Sequence, residues 1–311
     1  MSKPQILILE EQGISRSDFE EIFNKEDLAF EIVWFDSESI LNNNLQGIIT
    51  VKTKVNNQML LKYPNVKFVA VAFTGYDCVD LDLCKQKDIA VFNVPAYSTN
   101  SVAELAVALT ISILREIPKA DKILRKGQWM LESPGIELAG KTVGILGTGS
   151  IGIKTAQIFK AIGCNVIGYS RTERDNFKEI GKYIASMSEL FTMADIISIH
   201  VPLNSETKGL VSYKEIAAMK KTAFIVNTAR GPIVDEKELI NALKNKRIAG
   251  AGIDVFETEP TNADNELLKL QNTIVTPHIA FKTIEALNRR ADVTINNIKC
   301  YIEGKDINRV C

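Results

Sequence analysis

Three observations predict an α/β protein built on mainly parallel sheets. Short apolar runs of strand length alternate with helix-like stretches along almost the whole chain. That alternation is the pattern of a parallel sheet covered by helices on both faces. A glycine triplet sits directly between a strand and a helix, but near the middle of the chain. Three later strands each end in a short segment rich in groups suited to chemistry.

The elements follow in order. Residues 5–10, 31–35, 47–51, 66–73 and 90–94 read as strands, with helical stretches near 15–24, 58–63 and Leu81–Gln86. The opening MSKPQILILEEQG has too short an apolar stretch for a signal peptide and reads as the first strand. One long helix is expected over 100–126, because Val102, Leu105, Ala106, Leu109 and Ile113 recur at three- and four-residue spacing. A turn-rich stretch follows at 127–140, with Trp129 and Pro134. Strands are then expected at 141–146, 165–170, 196–200, 223–227, 249–254 and 273–276, and a last helix at 283–303.

Composition bounds the function. The 311 residues suffice for about two domains. Lys plus Arg is 37 and Asp plus Glu is 38, so the net charge of −1 offers no basic excess for nucleic acid or an anionic membrane surface. No apolar run reaches the ~18–20 residues that span a bilayer. Five cysteines without a Cys-x-x-Cys pair argue against a disulfide framework and for a reducing, cytoplasmic setting. With two histidines, His200 and His278, no metal site is expected.

The segment KTVGILGTGSIG at 141–152 carries G-x-G-x-x-G as Gly147, Gly149 and Gly152. The first glycine permits a tight turn, the second lets the backbone approach a pyrophosphate, and the third lets helix and strand pack closely. The amides of Ser150 and Ile151 then open a helix whose dipole favours phosphate. In this strand–turn–helix context the motif predicts a Rossmann-type, doubly wound dinucleotide domain. Such a fold carries the motif in its first turn, so an earlier domain of about 98 residues precedes it. The last helix has no strand after it and is expected to return to that first domain. The expected boundaries are 1–98 with 283–311, and 99–282.

A cofactor-selecting acid is expected at the end of the next strand, about 20 residues past the triplet, where it would bind the ribose hydroxyls of NAD. Ser170 stands there, followed by Arg171 and Thr172. Without a carboxylate a 2′-phosphate meets no repulsion, and arginine pairs with phosphate through a planar fork. The reading is an NAD(P) site with NADP(H) slightly favoured over NAD(H). Against it, Arg171 could be a solvated loop charge, and Glu173 and Asp175 could partly restore acidity.

The strand-end segments are NTARG at 227–231, DVFETEP at 254–260 and PHIA at 277–280. Ligands bind beyond the carboxyl ends of strands in open α/β sheets. A 2-keto acid carries a carboxylate beside a carbonyl, and Arg230 could clamp the one and polarise the other. Hydride addition leaves an alkoxide, to which His278 could supply a proton. A carboxylate would orient that histidine, and spacing alone allows either Glu257 or Glu259. His200 has no acid near it in sequence and reads as a structural, hydrogen-bonded histidine.

Together the motifs resemble those of the D-isomer-specific 2-hydroxyacid dehydrogenases. The match includes TGYDCVDL at 74–81, VPAYSTNSVAE at 94–104, GILGTGSIG at 144–152, HVPLNSETKGL at 200–210, NTARG, AGIDVFETEP at 251–260 and TPHIA at 276–280. The resemblance implies hydride transfer between NAD(P)H and C2 of a small 2-keto or D-2-hydroxy acid such as glyoxylate, hydroxypyruvate or pyruvate. It implies a smaller, flavodoxin-like substrate domain made of the two chain ends. It implies Arg230, Glu259 and His278 as catalytic residues, and Thr74 and Gly75 as amides that, with Arg230, hold the substrate carboxylate. Cofactor contacts are implied at Val201, Pro202, Thr207, Thr228, Ala229, Asp254 and Ala280, with Asp254 on the nicotinamide amide. A homodimer is implied, with the long helix of the dinucleotide domain at its interface.

Departures from the family pattern are Ser170 at the acidic position, Leu105 after Glu104 where many members have histidine, and Phe281–Lys282 after PHIA. The aromatic at 281 resembles D-lactate dehydrogenase-like members, which brings pyruvate into consideration. An alternative of another class is a dinucleotide-sensing, peptide-binding scaffold of the same fold. Turnover with simple keto acids separates the two.

Overall fold

The computed structural model describes residues 3–38, 40, 42–129 and 134–311. It divides into two compact units: Thr99–Phe281, and the two chain ends on either side of it. The unit of the chain ends holds β1 (Gln5–Ile8), α1 (Arg16–Lys25), β2 (Glu31–Trp34), β3 (Leu45–Thr50), α2 (Asn57–Lys62), β4 (Phe68–Val71), α3 (Leu81–Gln86) and β5 (Ala90–Phe92). Its strands are all parallel, in the order β2-β1-β3-β4-β5. That is the flavodoxin-like order, and both faces of the sheet are apolar as a doubly covered sheet requires. The strands β1 and β4 are buried at every residue.

The central unit holds α4 (Thr99–Leu114), α5 (Ile117–Arg125), β6 (Thr142–Leu146), α6 (Ser150–Ala161), β7 (Asn165–Tyr169), α7 (Asp175–Lys178), β8 (Lys182–Tyr183), α8 (Met187–Met193) and β9 (Ile196–Ile199). It continues with α9 (Tyr213–Ala218), β10 (Phe224–Asn227), α10 (Glu236–Lys244), β11 (Gly250–Ile253) and β12 (Thr273–Val275). Seven parallel strands run β12-β11-β10-β9-β6-β7-β8. This is the doubly wound Rossmann order with one strand added at an edge. Apolar side chains pack on both faces: Leu146, Ile197, Ile225 and Ile253 lie in one core, and Val143, Ile145, Val226 and Phe159 in another. The chain then enters α11 (Ile284–Ile302), capped by Thr283, whose hydroxyl accepts the Ala286 amide. This helix packs on α1 and β4, within the unit of the chain ends.

The long helix expected over 100–126 is two helices. Glu116 adopts φ 48°, in the left-handed region, and Pro118 stands in the first turn of α5. Proline has no amide to continue a helix but suits a helix start, so the break falls just before it. The two helices also differ in surroundings. The stripe of α4, including Val102, Ala106, Leu109 and Ile113, is buried. Helix α5 buries no residue, although Ile117 and Leu124 are apolar. Strand β8 and the short helices between β7 and β11 were not individually expected. Of the turn-rich stretch at 127–140, residues 130–133 lie outside the described residues. No helix among the described residues is long and apolar enough to cross a membrane.

Candidate active site

The strand order reverses at β6, between β7 and β9, which is where a doubly wound sheet opens a crevice. Gly147 follows β6 there with φ 96°, a conformation that other residues rarely adopt. A β-carbon on it would meet the His200 carbonyl carbon and oxygen at 2.8 Å. Gly149 has an ordinary extended backbone, and a β-carbon there would meet nothing within 4 Å. The protein itself therefore gives no reason for glycine at 149, whereas a ligand lying against the backbone would. Helix α6 begins at the next residue without a side-chain cap, so the Ser150 and Ile151 amides have no partner within the helix.

Thr228 supplies a second sign of a ligand. It lies just past β10, is 6% exposed, and its hydroxyl has no hydrogen-bond partner in the structure. A buried hydroxyl without a partner is costly, at roughly 1–3 kcal/mol. These features fit a dinucleotide whose pyrophosphate meets the α6 amides.

The turn after β9 is tightly cross-bonded. The Thr207 hydroxyl donates to the Pro202 carbonyl at 2.6 Å, and Asn204 Oδ1 accepts the amides of Glu206 and Thr207 at 2.9 and 3.1 Å. Val201 lines the glycine turn, with Cγ1 2.8 Å from where a Gly147 β-carbon would lie. His200 Nε2 is 2.8 Å from the Ser198 hydroxyl, and burial pushes its pKa down to about 3. It is therefore a neutral, hydrogen-bonded residue near neutral pH.

Past β7, the residues expected to select the cofactor are arranged less simply. Ser170 is half-buried, while Arg171 and Thr172 are exposed. The guanidinium of Arg171 pairs with the carboxylate of Glu206, in the turn after β9. Glu173 and Asp175 share Lys178, at 3.1 and 3.3 Å, so one positive charge offsets part of their acidity. The acid that meets Arg171 is distant in sequence, so spacing around Arg171 gives no sign of it.

The catalytic candidates lie on the loops after β10, β11 and β12. Asn227, at the end of β10, braces the first loop: Oδ1 accepts the Ala229 amide and Nδ2 donates to the Arg230 carbonyl, both at 3.0 Å. The Arg230 guanidinium donates to the Ala229 carbonyl at 2.8 Å. A β-carbon on Gly231 would lie 1.9 Å from the Phe256 carbonyl oxygen, so glycine lets this loop press against the loop after β11. In that second loop the Phe256 amide donates to Glu259 Oε1 at 3.2 Å. Glu259 Oε2 is 2.5 Å from His278 Nδ1. Glu257 instead uses its amide, donating to Glu236 at 3.0 Å.

Asp254 is fully buried and builds the turn that carries His278. Its Oδ1 accepts the Thr276 hydroxyl at 2.6 Å and the Ile279 amide at 2.9 Å, and its Oδ2 accepts the Ala280 amide at 2.9 Å. Burial raises the Asp254 pKa, and these donors oppose the rise. The Phe281 ring stands edge-on to the His278 ring, with centroids 5.7 Å apart. In the unit of the chain ends, the Thr74 hydroxyl donates to the Val94 carbonyl at 3.0 Å, and Asn93 Nδ2 donates to the Thr74 carbonyl at 2.8 Å. Among the described residues, no cluster of three His, Cys, Asp or Glu is arranged to hold a metal ion.

A family model described as the NAD binding domain of D-isomer specific 2-hydroxyacid dehydrogenases matches residues 107–280. A hydroxypyruvate reductase of Blautia hydrogenotrophica is 36% identical over 270 residues, covering 85% of this chain and 84% of that protein. The solved D-lactate dehydrogenase of Aquifex aeolicus, complexed with NAD and lactic acid, superposes with a TM-score of 0.85 at 31% identity, covering 98% of each chain. An NADPH-dependent glyoxylate/hydroxypyruvate reductase of Sinorhizobium meliloti, solved with NADP and malonate, gives 0.87 at 29% identity, covering 100% of this chain and 97% of that one. The chain belongs to the D-isomer-specific 2-hydroxyacid dehydrogenase family. It is an oxidoreductase that transfers hydride between a nicotinamide dinucleotide and a small 2-keto or 2-hydroxy acid. The scaffold alternative is not favoured.

Proposed function

We propose that this chain reduces glyoxylate, hydroxypyruvate or pyruvate at C2, with His278 as the acid, Glu259 as its orienting partner and Arg230 on the substrate. The observation that carries this reading is the 2.5 Å approach of Glu259 Oε2 to His278 Nδ1. With Nδ1 committed to Glu259, proton exchange with a substrate falls to Nε2, as in other carboxylate-oriented acid–base histidines. The dinucleotide, when bound, supplies the hydride. Its holders are Gly147, Gly149, Ser150, Ile151 and Gly152 at the pyrophosphate, with Val201, Pro202, Thr207, Thr228, Ala229, Asp254 and Ala280 along its length. Arg230 clamps the carboxylate and polarises the adjacent carbonyl, so that negative charge developing on oxygen is stabilised. The protonated His278 then delivers its proton to that oxygen, giving the 2-hydroxy acid.

Phe281 favours a small substrate side chain, because its ring stands against the imidazole. Ser170, Arg171 and Thr172 favour NADPH slightly over NADH. Exposed apolar side chains support a homodimer: Ile117 and Leu124 on α5, and Trp129 beyond its end, are 47%, 57% and 88% exposed and would be covered by a second copy. Five thiols support a reducing, cytoplasmic setting.

The test is kcat/KM for the three keto acids with each reduced dinucleotide, alongside sedimentation velocity for the oligomeric state. Turnover of at least one keto acid is expected, from a dimer. A properly folded protein that turns over none of them sinks the substrate reading, and a monomer at micromolar concentration sinks the dimer.

A further inference from the structure

The geometry points to Glu206 as a cofactor-specificity residue, a carboxylate that competes with a 2′-phosphate for the guanidinium of Arg171. This rests on the reading above that Arg171 meets the adenosine 2′ position. Glu206 and Arg171 pair directly although 35 residues separate them in sequence. The strand order explains how. Strands β9 and β7 flank β6, so the loops that carry the two residues lie on either side of the glycine turn. The pair therefore bridges the loops that border the cofactor's entry to the crevice.

Glu206 is held in place by its backbone. Its amide donates to Asn204 Oδ1 at 2.9 Å, and the neighbouring Thr207 is anchored on Pro202 at 2.6 Å. Arg171 has no such anchor: its side chain is 72% exposed, and Glu206 is the partner it meets. Two further acids, Glu173 before α7 and Asp175 at its start, share Lys178. Glu206 is the acid in contact with Arg171.

Two consequences follow for a phosphorylated cofactor. Glu206 occupies Nη1 of Arg171 and offsets part of its charge, so a 2′-phosphate must share the guanidinium with that carboxylate or displace it. In either case the phosphate sits near the Glu206 carboxylate and is repelled by it. A cofactor without the phosphate leaves the pair intact. Glu206 therefore shifts the balance toward NADH, and Arg171 shifts it toward NADPH. Both side chains are mostly solvated, so the effect is modest in size.

The experiment uses the whole protein and calorimetric titration with adenosine 2′,5′-bisphosphate and with AMP, backed by kcat/KM for NADPH and NADH. Glu206→Gln keeps the size of the side chain and removes its charge. The bisphosphate should bind about three- to tenfold more tightly to this variant, with AMP binding changed less than about twofold. The NADPH/NADH ratio of kcat/KM should rise by a similar factor. In an Arg171→Ala background the Glu206→Gln gain should shrink, because competition for the guanidinium is gone and only direct repulsion of the phosphate by Glu206 remains. If Arg171→Ala weakens the bisphosphate but Glu206→Gln leaves both affinity and ratio unmoved, the Glu206 inference fails while the Arg171 reading stands. If Arg171→Ala itself leaves the bisphosphate affinity unchanged, both fail.

Discussion

The backbone of His278 hangs on Asp254: the His278 amide donates to the Asp254 carbonyl at 2.8 Å, and the Asp254 carboxylate takes the next two amides at 2.9 Å each. His278 itself has φ 52°, an uncommon conformation that surrounding bonds must maintain. Asp254 is therefore a scaffold for the histidine turn, whatever it contributes to the cofactor.

Asp254→Asn should disturb that turn. The carboxylate accepts on both oxygens, and Oδ1 already takes two donors. An amide offers one oxygen, so in either orientation its NH2 would face a backbone N–H, that of Ile279 or that of Ala280. An unsatisfied buried donor costs about 1–3 kcal/mol. The thermal midpoint of the ligand-free protein should fall by several degrees, and kcat at saturating substrates should fall by about tenfold or more. A variant with unchanged midpoint and kcat would show that the turn does not depend on this side chain.

The histidine and its glutamate should separate kinetically. His278→Ala removes the proton donor and should lower kcat by about 10²–10⁴. Glu259→Gln removes the charge but keeps a side chain that can accept from Nδ1, so its loss in kcat should be smaller. Both measurements are made with saturating cofactor. Near wild-type turnover in His278→Ala would remove the histidine from the mechanism. A Glu259→Gln loss larger than that of His278→Ala would give the glutamate a role beyond orientation.

What was legible in the sequence was what is local. The glycine turn could be read because strand, triplet and helix are contiguous between 142 and 161. Strands such as β1, β4, β9, β10 and β11 could be read because both faces are buried, which makes them nearly continuous apolar runs. The break between α4 and α5 was hidden because apolar positions continue across it, at Ile113 and Ile117. Its one signal was Pro118. Strand β8 has two residues and no periodicity to read. The choice between Glu257 and Glu259 was open to spacing because direction in a loop is set by bonds such as Phe256 N to Glu259 Oε1. The partner of Arg171 lies on another loop, and only the strand order brings Glu206 to it.

Glu10 gives the fold a pH dependence with a definite sign. Burial alone would raise its pKa, but the Thr53, Lys52 and Val51 amides together outweigh burial and hold it below the ordinary 4.5. These amides donate to a single oxygen, Oε1, at 2.8, 3.0 and 2.9 Å, and so tie the loop after β3 to the end of β1. A folded-state pKa below the unfolded one contributes stability that is present above the unfolded value and lost as pH falls through the folded value. Glu10→Gln should therefore lower the thermal midpoint at neutral pH by about 2–8 °C. The gap between variant and wild type should hold down to about pH 5 and narrow as pH falls below 4.5. A gap independent of pH down to acid unfolding would show that the charge of Glu10 is not what the amides hold.

The last expectation concerns Ser170. It follows Tyr169, whose carbonyl accepts the Gly147 amide at 2.9 Å, so the backbone at 170 is fixed beside the glycine turn. An acid introduced there would stand where the ribose hydroxyls of NAD are read in doubly wound folds. It would also lie next to Arg171 in sequence and add a second negative charge to a loop that already faces Glu206. A 2′-phosphate would then lose the serine hydroxyl as a donor and meet an anion in its place. A charge-assisted contact is worth roughly 1.5–3 kcal/mol, or about ten- to a hundredfold in affinity. Ser170→Asp should therefore lower kcat/KM for NADPH by at least about tenfold while leaving that for NADH within a few-fold of wild type. The measurement is both ratios, in wild type and variant, with one keto acid held saturating. A strong wild-type preference for NADH would overturn the NADPH reading. An Asp variant whose ratio does not move would show that residue 170 does not face the ribose at all.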